Sequence, residues 1–507
     1  MIRPTLIAAG AAILLAGTAL AETPQGAAAS LDAFLDRFPD LGPGYGVVVV
    51  TADEVVLNRT TGERRASTGA PLTPDTPIYI ASQTKAFMGL LAARLDVEGV
   101  LDLDSHIVDY WPDSEFPEGV DVARWTLRDL VTHQVPIEVD LLTLIEAYIT
   151  RVDPADYPEM IAQYGTAREP GFDYDNLGYN IYGAILETAT GRSWQDWLQL
   201  DILEPLGLDH TSARTSDFPL DELSWRHIWQ GEEAGWYEMP PKTDPIMQSA
   251  GGLVTSTTDM GVWLQTQLRG EGPEGSGLTR EIFAEAQTGS VETHQENGRN
   301  AYELPCSSYA LGWNVCDFGG HVLYIHGGSY TGTRTMMAFS PDLGIGIGVF
   351  SNSDNVTGWL TSRTVVQYLQ YLTEHPDAGS WADRRSSLYP ERAADYLEYR
   401  QHSLAEARAE ESWGGWSWAP DAEELARFTG HYTTPRPYMD LMITIEDGQL
   451  HAAMSEYRLT LQPARPDLFA GQTDPFGDLE PFEFARDTSG AIAGFVWGED
   501  RYTRSAE

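Results

Sequence analysis

Two blocks of strand signal, far apart in the chain, limit its possible folds more than any other feature. The first, YGVVVVTADEVVLNRT, reads as two strands about a short polar turn. The second runs through YALGWNV, HVLYIHGG, TRTMMAFS and LGIGIGVFSN. Between them, from Ser82 to about residue 290, the pattern is mostly helix and loop; in LGYNIYGAILETATG, for example, Ile181, Ile185 and Leu186 recur at helical spacing until Gly191 stops the helix. SLDAFLDRF before the first block and SRTVVQYLQYL after the second also read as helices. A lone hairpin is marginal in water, so the two blocks are expected to meet in one antiparallel sheet flanked by helices, with an all-helical subdomain inserted. This is an α+β class with a cleft where sheet and subdomain join.

Beyond this domain, expected to span 22–375, residues 376–423 are rich in charge, Trp, Ala and Ser and read as a helical linker. From 424 to 507 short strands alternate with turns such as IEDGQL and RDTSGAI, which predicts a small all-β, barrel-like domain. The first 21 residues combine Arg3, an apolar run from Leu6 to Leu20, and small residues at Ala19 and Ala21. That is the pattern of an export signal cleaved after Ala21. The apolar run falls short of the roughly 20 residues that span a bilayer. The expected location is therefore periplasmic or secreted, with no membrane insertion.

A net charge of −43 repels nucleic acid and anionic lipid and argues against both as partners. The same acidity reads either as ordinary solvation or as adaptation to salt, which screens the self-repulsion. The two cysteines, Cys306 and Cys316, fit one local disulfide in an oxidising compartment, with two buried thiols as the alternative. No His-Glu-x-x-His or Cys-x-x-Cys metal-binding spacing occurs, and the eleven histidines are scattered.

Among 32 basic residues only Lys85 and Lys242 are lysines. Lys85 follows Ser82 by three residues where a β-like run passes into a helix, so the two side chains share one helical face. A serine hydroxyl needs a base to become a nucleophile. A desolvated lysine can serve, whereas arginine keeps its proton. Downstream, Tyr174-x-Asn176 offers a phenol to relay protons and an amide to orient a substrate carbonyl. The strand that carries His326, Gly327 and Gly328 lets a substrate approach the backbone closely, and the N–H groups of Ser82 and Ser329 are candidates for an oxyanion hole.

In this order, Ser82-x-x-Lys85, Tyr174-x-Asn176 and His326-Gly327-Gly328 resemble the motifs of the penicillin-recognising serine hydrolases, related to class C β-lactamases, D-aminopeptidases and family VIII-type esterases. ARLDVEGVLDLDSHIVDYWP, TLRDLVTH, EPLGLDHT and SAGGLVTSTTDMGVWL carry the same likeness. The resemblance implies an acyl-enzyme on Ser82, with Lys85 and Tyr174 sharing base and acid duties, a small ester, peptide or β-lactam as substrate, and no metal or organic cofactor. It leaves the oligomeric state open. Two departures bear on specificity: His326 stands where class C enzymes carry lysine, which lowers the expectation of β-lactam hydrolysis, and His133-Gln134-Val135-Pro136 replaces a common His-x-Ser-Gly. Ser353-Asp354-Asn355 spells a motif of class A enzymes but lies after the His-Gly-Gly strand, and reads as a polar strand end or turn. RFTGHY and DLMITIEDGQLHAAM resemble the lipocalin-like β-domain appended to some of these hydrolases, from which Tyr438 or its neighbours are candidates to reach the cleft.

Overall fold

The computed structural model describes residues 22–38, 41–295, 304–353 and 355–505. The expected export signal lies outside them. A nine-stranded sheet holds both strand blocks, and its order explains how they meet. Strand Gly44–Thr51 sits between Val55–Arg65, its hairpin partner, and Ile345–Ser351, with Tyr45 opposite Ser351 and Thr51 opposite Ile345. From Ile345–Ser351 the sheet continues through Thr333–Ser340, His321–Tyr330, Asn314–Phe318 and Cys306–Tyr309, every pair antiparallel.

The run Val47–Val50 is wholly buried because this strand has helices on both faces. Val47 and Val49 pack with Leu31, Phe34, Val365 and Leu369 of helices Pro24–Leu35 and Val356–Leu372. Val48 and Val50 face the other core, with Phe87, Leu91, Met260 and Leu264 of helices Thr84–Val97 and Thr257–Arg269. Each such side chain contributes roughly 1.5–3 kcal/mol relative to exposure.

One expectation changes. YALGWNV, read as a strand, is two strand ends joined by a buried turn at Ala310–Trp313. Gly312 sits there at φ 83°, and a Cβ would lie 2.3 Å from the Lys85 carbonyl oxygen, so this turn abuts the helix that carries Lys85. Next to it, Cys306 faces Cys316 across the strands and the two form a disulfide.

After the helix Ala378–Ala409, eight strands from Gly430–Thr433 to Asp500–Arg504 close a barrel. The barrel docks on the helical subdomain: Glu456 N–H donates to the Ile149 carbonyl at 3.0 Å, and Tyr438 donates to Asp156 while accepting from Asp153 N–H at 3.1 Å. Ser353 and Asn355 are spent on structure, their side-chain oxygens bonding around Thr357 at the start of helix Val356–Leu372. Among the described residues no helix is long and apolar enough to cross a membrane.

Candidate active site

Strand Ile78–Tyr79 pairs with Val254–Thr255, and the chain then makes one tight turn, Ala81–Gln83, before helix Thr84–Val97. Ala81, the residue before Ser82, holds φ 46°, a conformation that costs a non-glycine residue about 1–2 kcal/mol and persists only where surrounding contacts enforce it. One such contact comes from the sheet. Gly328 lies so near Ile80 that a Cβ would sit 2.0 Å from the Ile80 carbonyl oxygen, so only glycine lets the strand press against the turn carrying Ser82.

Lys85 is fully buried. Its Nζ donates to Asn176 Oδ1 at 2.7 Å and to the Ala250 carbonyl at 3.0 Å, and lies 3.4 Å from Ser82 Oγ. The Tyr174 ring centre is 4.8 Å away. Burial pulls the Lys85 pKa down to about 7, and the Asp175 carboxylate works against that shift. Burial alone would raise Asp175, but His133, the Gly178 N–H at 2.9 Å and Arg168 at 3.0 Å hold it below its ordinary value. His133, at φ 60°, is buried with its ring centre 4.6 Å from that of Tyr174, and its Nδ1 accepts from Asp175 N–H at 3.3 Å. The unusual segment at 133–136 thus backs the Tyr174 loop.

A cavity of about 740 Å³ opens over these groups. Ser82, Tyr174, Asn176 and Ser329 are among the residues that line it, together with Tyr148 and Met247. Ser82 and Ser329, the two oxyanion-hole candidates, therefore share one cavity. The barrel contributes Arg436, Met439 and Asp500, with Arg436 Nε 2.5 Å from Asp500. Tyr438 is not among the lining residues; it turns to Asp156, and its neighbours reach the cleft instead.

His326 lies deeper than the sequence suggested. It is 1% exposed, whereas the sequence suggested contact with substrate. It shares a strand face with Gly328, and its ring centre lies 5.9 Å from that of Tyr174 and 6.4 Å from that of Tyr309. Its Nδ1 donates to the Gly327 carbonyl at 2.8 Å, and Nε2 lies 3.5 Å from the Tyr309 hydroxyl. Burial first, then the Lys85 charge, pushes its pKa down to about 3, so the ring is neutral at pH 7 and offers no cation to a substrate carboxylate. Gly327 is half-buried beside it. Sequence patterns gave no sign of Arg436 or Asp500 and placed Ala250 only within the family-like stretch SAGGLVTSTTDMGVWL; all three reach the site through long-range folding. Among the described residues no group of three or more His, Cys, Asp or Glu is placed to hold a metal.

Comparison with known proteins places this geometry. The β-lactamase family model matches residues 31–365. The curated protein flp of Staphylococcus aureus is 23% identical over 337 residues, covering 66% of this chain and 62% of its own, so the chain spans about three fifths of that relative's length. Among solved structures, the octameric penicillin-binding protein homologue from Pyrococcus abyssi superimposes with a TM-score of 0.58 at 20% identity, over 94% of this chain and 100% of that one. The D-amino acid amidase from Ochrobactrum anthropi gives 0.53 at 21% identity, over 69% and 97%. With a penicillin-binding-protein-like fold and a family match across about two thirds of its length, this chain belongs to the β-lactamase family.

Proposed function

We propose that this chain is an exported serine hydrolase that forms an acyl-enzyme on Ser82 and acts on small esters or on peptide and amide bonds, including those of D-amino acids. One observation carries the reading. Asn176 and Ala250 accept two N–H bonds from Lys85, so the remaining direction at Nζ faces Ser82 Oγ. In the neutral amine that direction holds the lone pair, and with a pKa near 7 the neutral form is abundant at working pH.

Lys85 Nζ takes the proton from Ser82 Oγ as Oγ bonds to the substrate carbonyl carbon. The carbonyl electrons move onto oxygen, where the N–H groups of Ser82 and Ser329 receive the charge. Collapse of this intermediate expels the alcohol or amine, which takes a proton from Lys85 through the Tyr174 hydroxyl. Water then attacks the ester on Ser82 by the same proton route and releases the acid. Asn176 has its Oδ1 committed to Lys85, which leaves its Nδ2 to donate to a bound substrate carbonyl. A neutral, covered His326 offers little to the carboxylate of a β-lactam, and this favours ester and amide substrates over that alternative. The closed C-terminal barrel is read as the lipocalin-like module of such hydrolases, seated where it forms part of the cleft.

Ser82→Ala is expected to abolish both turnover and covalent labelling by a fluorophosphonate; undiminished turnover would refute the assignment. Nitrocefin, p-nitrophenyl acetate and D-alanine p-nitroanilide assayed side by side separate the lactamase, esterase and aminopeptidase outcomes.

A further inference from the structure

We propose that Glu146 is a positioning residue for Lys85, acting through Asn180 and the backbone of Ala250. The proposal rests on the reading of Lys85 as the base and adds the group that aims and tunes it.

Glu146 is 1% exposed, in the helical turn Ile145–Ile149, whose Ala147 and Tyr148 line the cavity. One carboxylate oxygen accepts from the Tyr157 hydroxyl; the other accepts from Asn180 Nδ2 at 2.6 Å. With its donor end committed to a carboxylate, the Asn180 amide has only one orientation. Its Oδ1 must face the Ala250 N–H, which donates to it at 2.9 Å. The Ala250 carbonyl then accepts from Lys85 Nζ at 3.0 Å. The Ala250 N–H and C=O belong to successive peptide groups joined at Cα, so what passes along these contacts is position: Asn180 holds the Ala250 backbone, and that backbone aims its carbonyl at Lys85.

The segment bearing that carbonyl needs restraint. Met247 and Gln248, just before it, hold φ 66° and 38°, two consecutive non-glycine residues in the left-handed region. Met247 N–H is tied to the Glu146 carbonyl at 2.7 Å, so Glu146 grips this segment by backbone and side chain together. If the segment relaxed, the Ala250 carbonyl would leave Lys85.

The titratable and charged groups facing Glu146 are Tyr157 from helix Tyr157–Tyr164 and Arg151, which pairs with Glu187 of helix Leu177–Thr190. Burial pushes the Glu146 carboxyl up to about 7, against the bonds from Tyr157 and Asn180 and the Arg151 charge. Glu146 and Lys85 therefore both ionise near neutrality. The Ala250 carbonyl favours the ammonium by accepting its N–H, so a change at Glu146 that releases this carbonyl lowers the pKa of Lys85.

The chain contains just two lysines, which makes the test direct. Lysine labelled with carbon-13 at Cε gives two signals, and Lys85→Ala assigns them by loss of one. In Glu146→Gln the Lys85 signal is expected to titrate about half a unit lower, the Lys242 signal to stay in place, and the acid limb of kcat/KM to move down with it. The rate constant kcat is expected to fall about tenfold with KM changed less than about twofold. Asn180→Leu cuts the link to Ala250 while keeping Glu146, and is expected to shift Lys85 the same way. In the unaltered protein the Lys85 signal is expected to show a second inflection as Glu146 ionises. An unmoved Lys85 titration in either folded variant, or a single-site curve in the unaltered protein, overturns the proposal. The signal is read without turnover, so an active Ser82→Ala variant would sink the hydrolase reading independently.

Discussion

Lys85 is buried beside a hydroxyl, with two acceptors fixing its N–H groups, and its low pKa has a definite kinetic consequence. The free enzyme gains its base as the ammonium loses its proton, so kcat/KM is expected to rise with pH through a midpoint near 7. Lys85→Arg, which keeps the charge but cannot release it, should lower kcat by at least about a hundredfold at every pH. Lys242 gives a stability prediction of opposite character. It is buried with its Nζ 3.4 Å from the Ala213 carbonyl; burial pulls its pKa down to about 8, with Asp244 opposing. In the unfolded chain the group titrates near 10.4, so its burial is destabilising at pH 7, and this penalty fades as pH rises from about 8 towards 10. Lys242→Met should therefore raise the melting temperature at pH 7, and the gain should shrink at pH 10. The approach of Lys85 to Ser82 was legible because a three-residue step from a turn into a helix leaves both side chains on one side, whereas their meeting with Tyr174 and Asn176 depends on the fold. The burial of His326 was not legible, because strand alternation shows which residues share a face but not what packs over that face.

At the scale of elements, the strand at Gly328 and the turn at Ser82 touch through backbone. Gly328→Ala puts a methyl group where the Ile80 carbonyl already lies, 2.0 Å away. The strand or the turn must move, and a displacement of the nucleophile by about 1 Å should cost about a hundredfold in kcat/KM. Measured beside the melting temperature, that loss should exceed what the stability change accounts for. Strands and helices were legible wherever period and punctuation agreed, as in Val47–Val50 and Leu177–Thr190. They were illegible at Ala310–Trp313, where the residues are apolar because the turn is buried against another helix and not because they form a strand.

For the whole molecule, the barrel completes the cleft with Arg436, Met439 and Asp500. Nothing local in the sequence marks these residues, since their role depends on how two distant segments dock. Arg436→Ala should leave kcat for p-nitrophenyl acetate within about twofold and raise KM for larger substrates that reach the barrel wall. The net charge of −43 predicts a melting temperature that climbs between low and molar salt as self-repulsion is screened. The seam between Gly44–Thr51 and Ile345–Ser351 bears on how the chain reaches its native state. A strand made early waits for a neighbour made some three hundred residues later, so the centre of the sheet assembles late and slowly, after a costly loop closure. A nascent or truncated product ending before Ile345 exposes a valine-rich edge with no mate, a template for aggregation that gives such a protein reason to meet a chaperone before it meets a substrate.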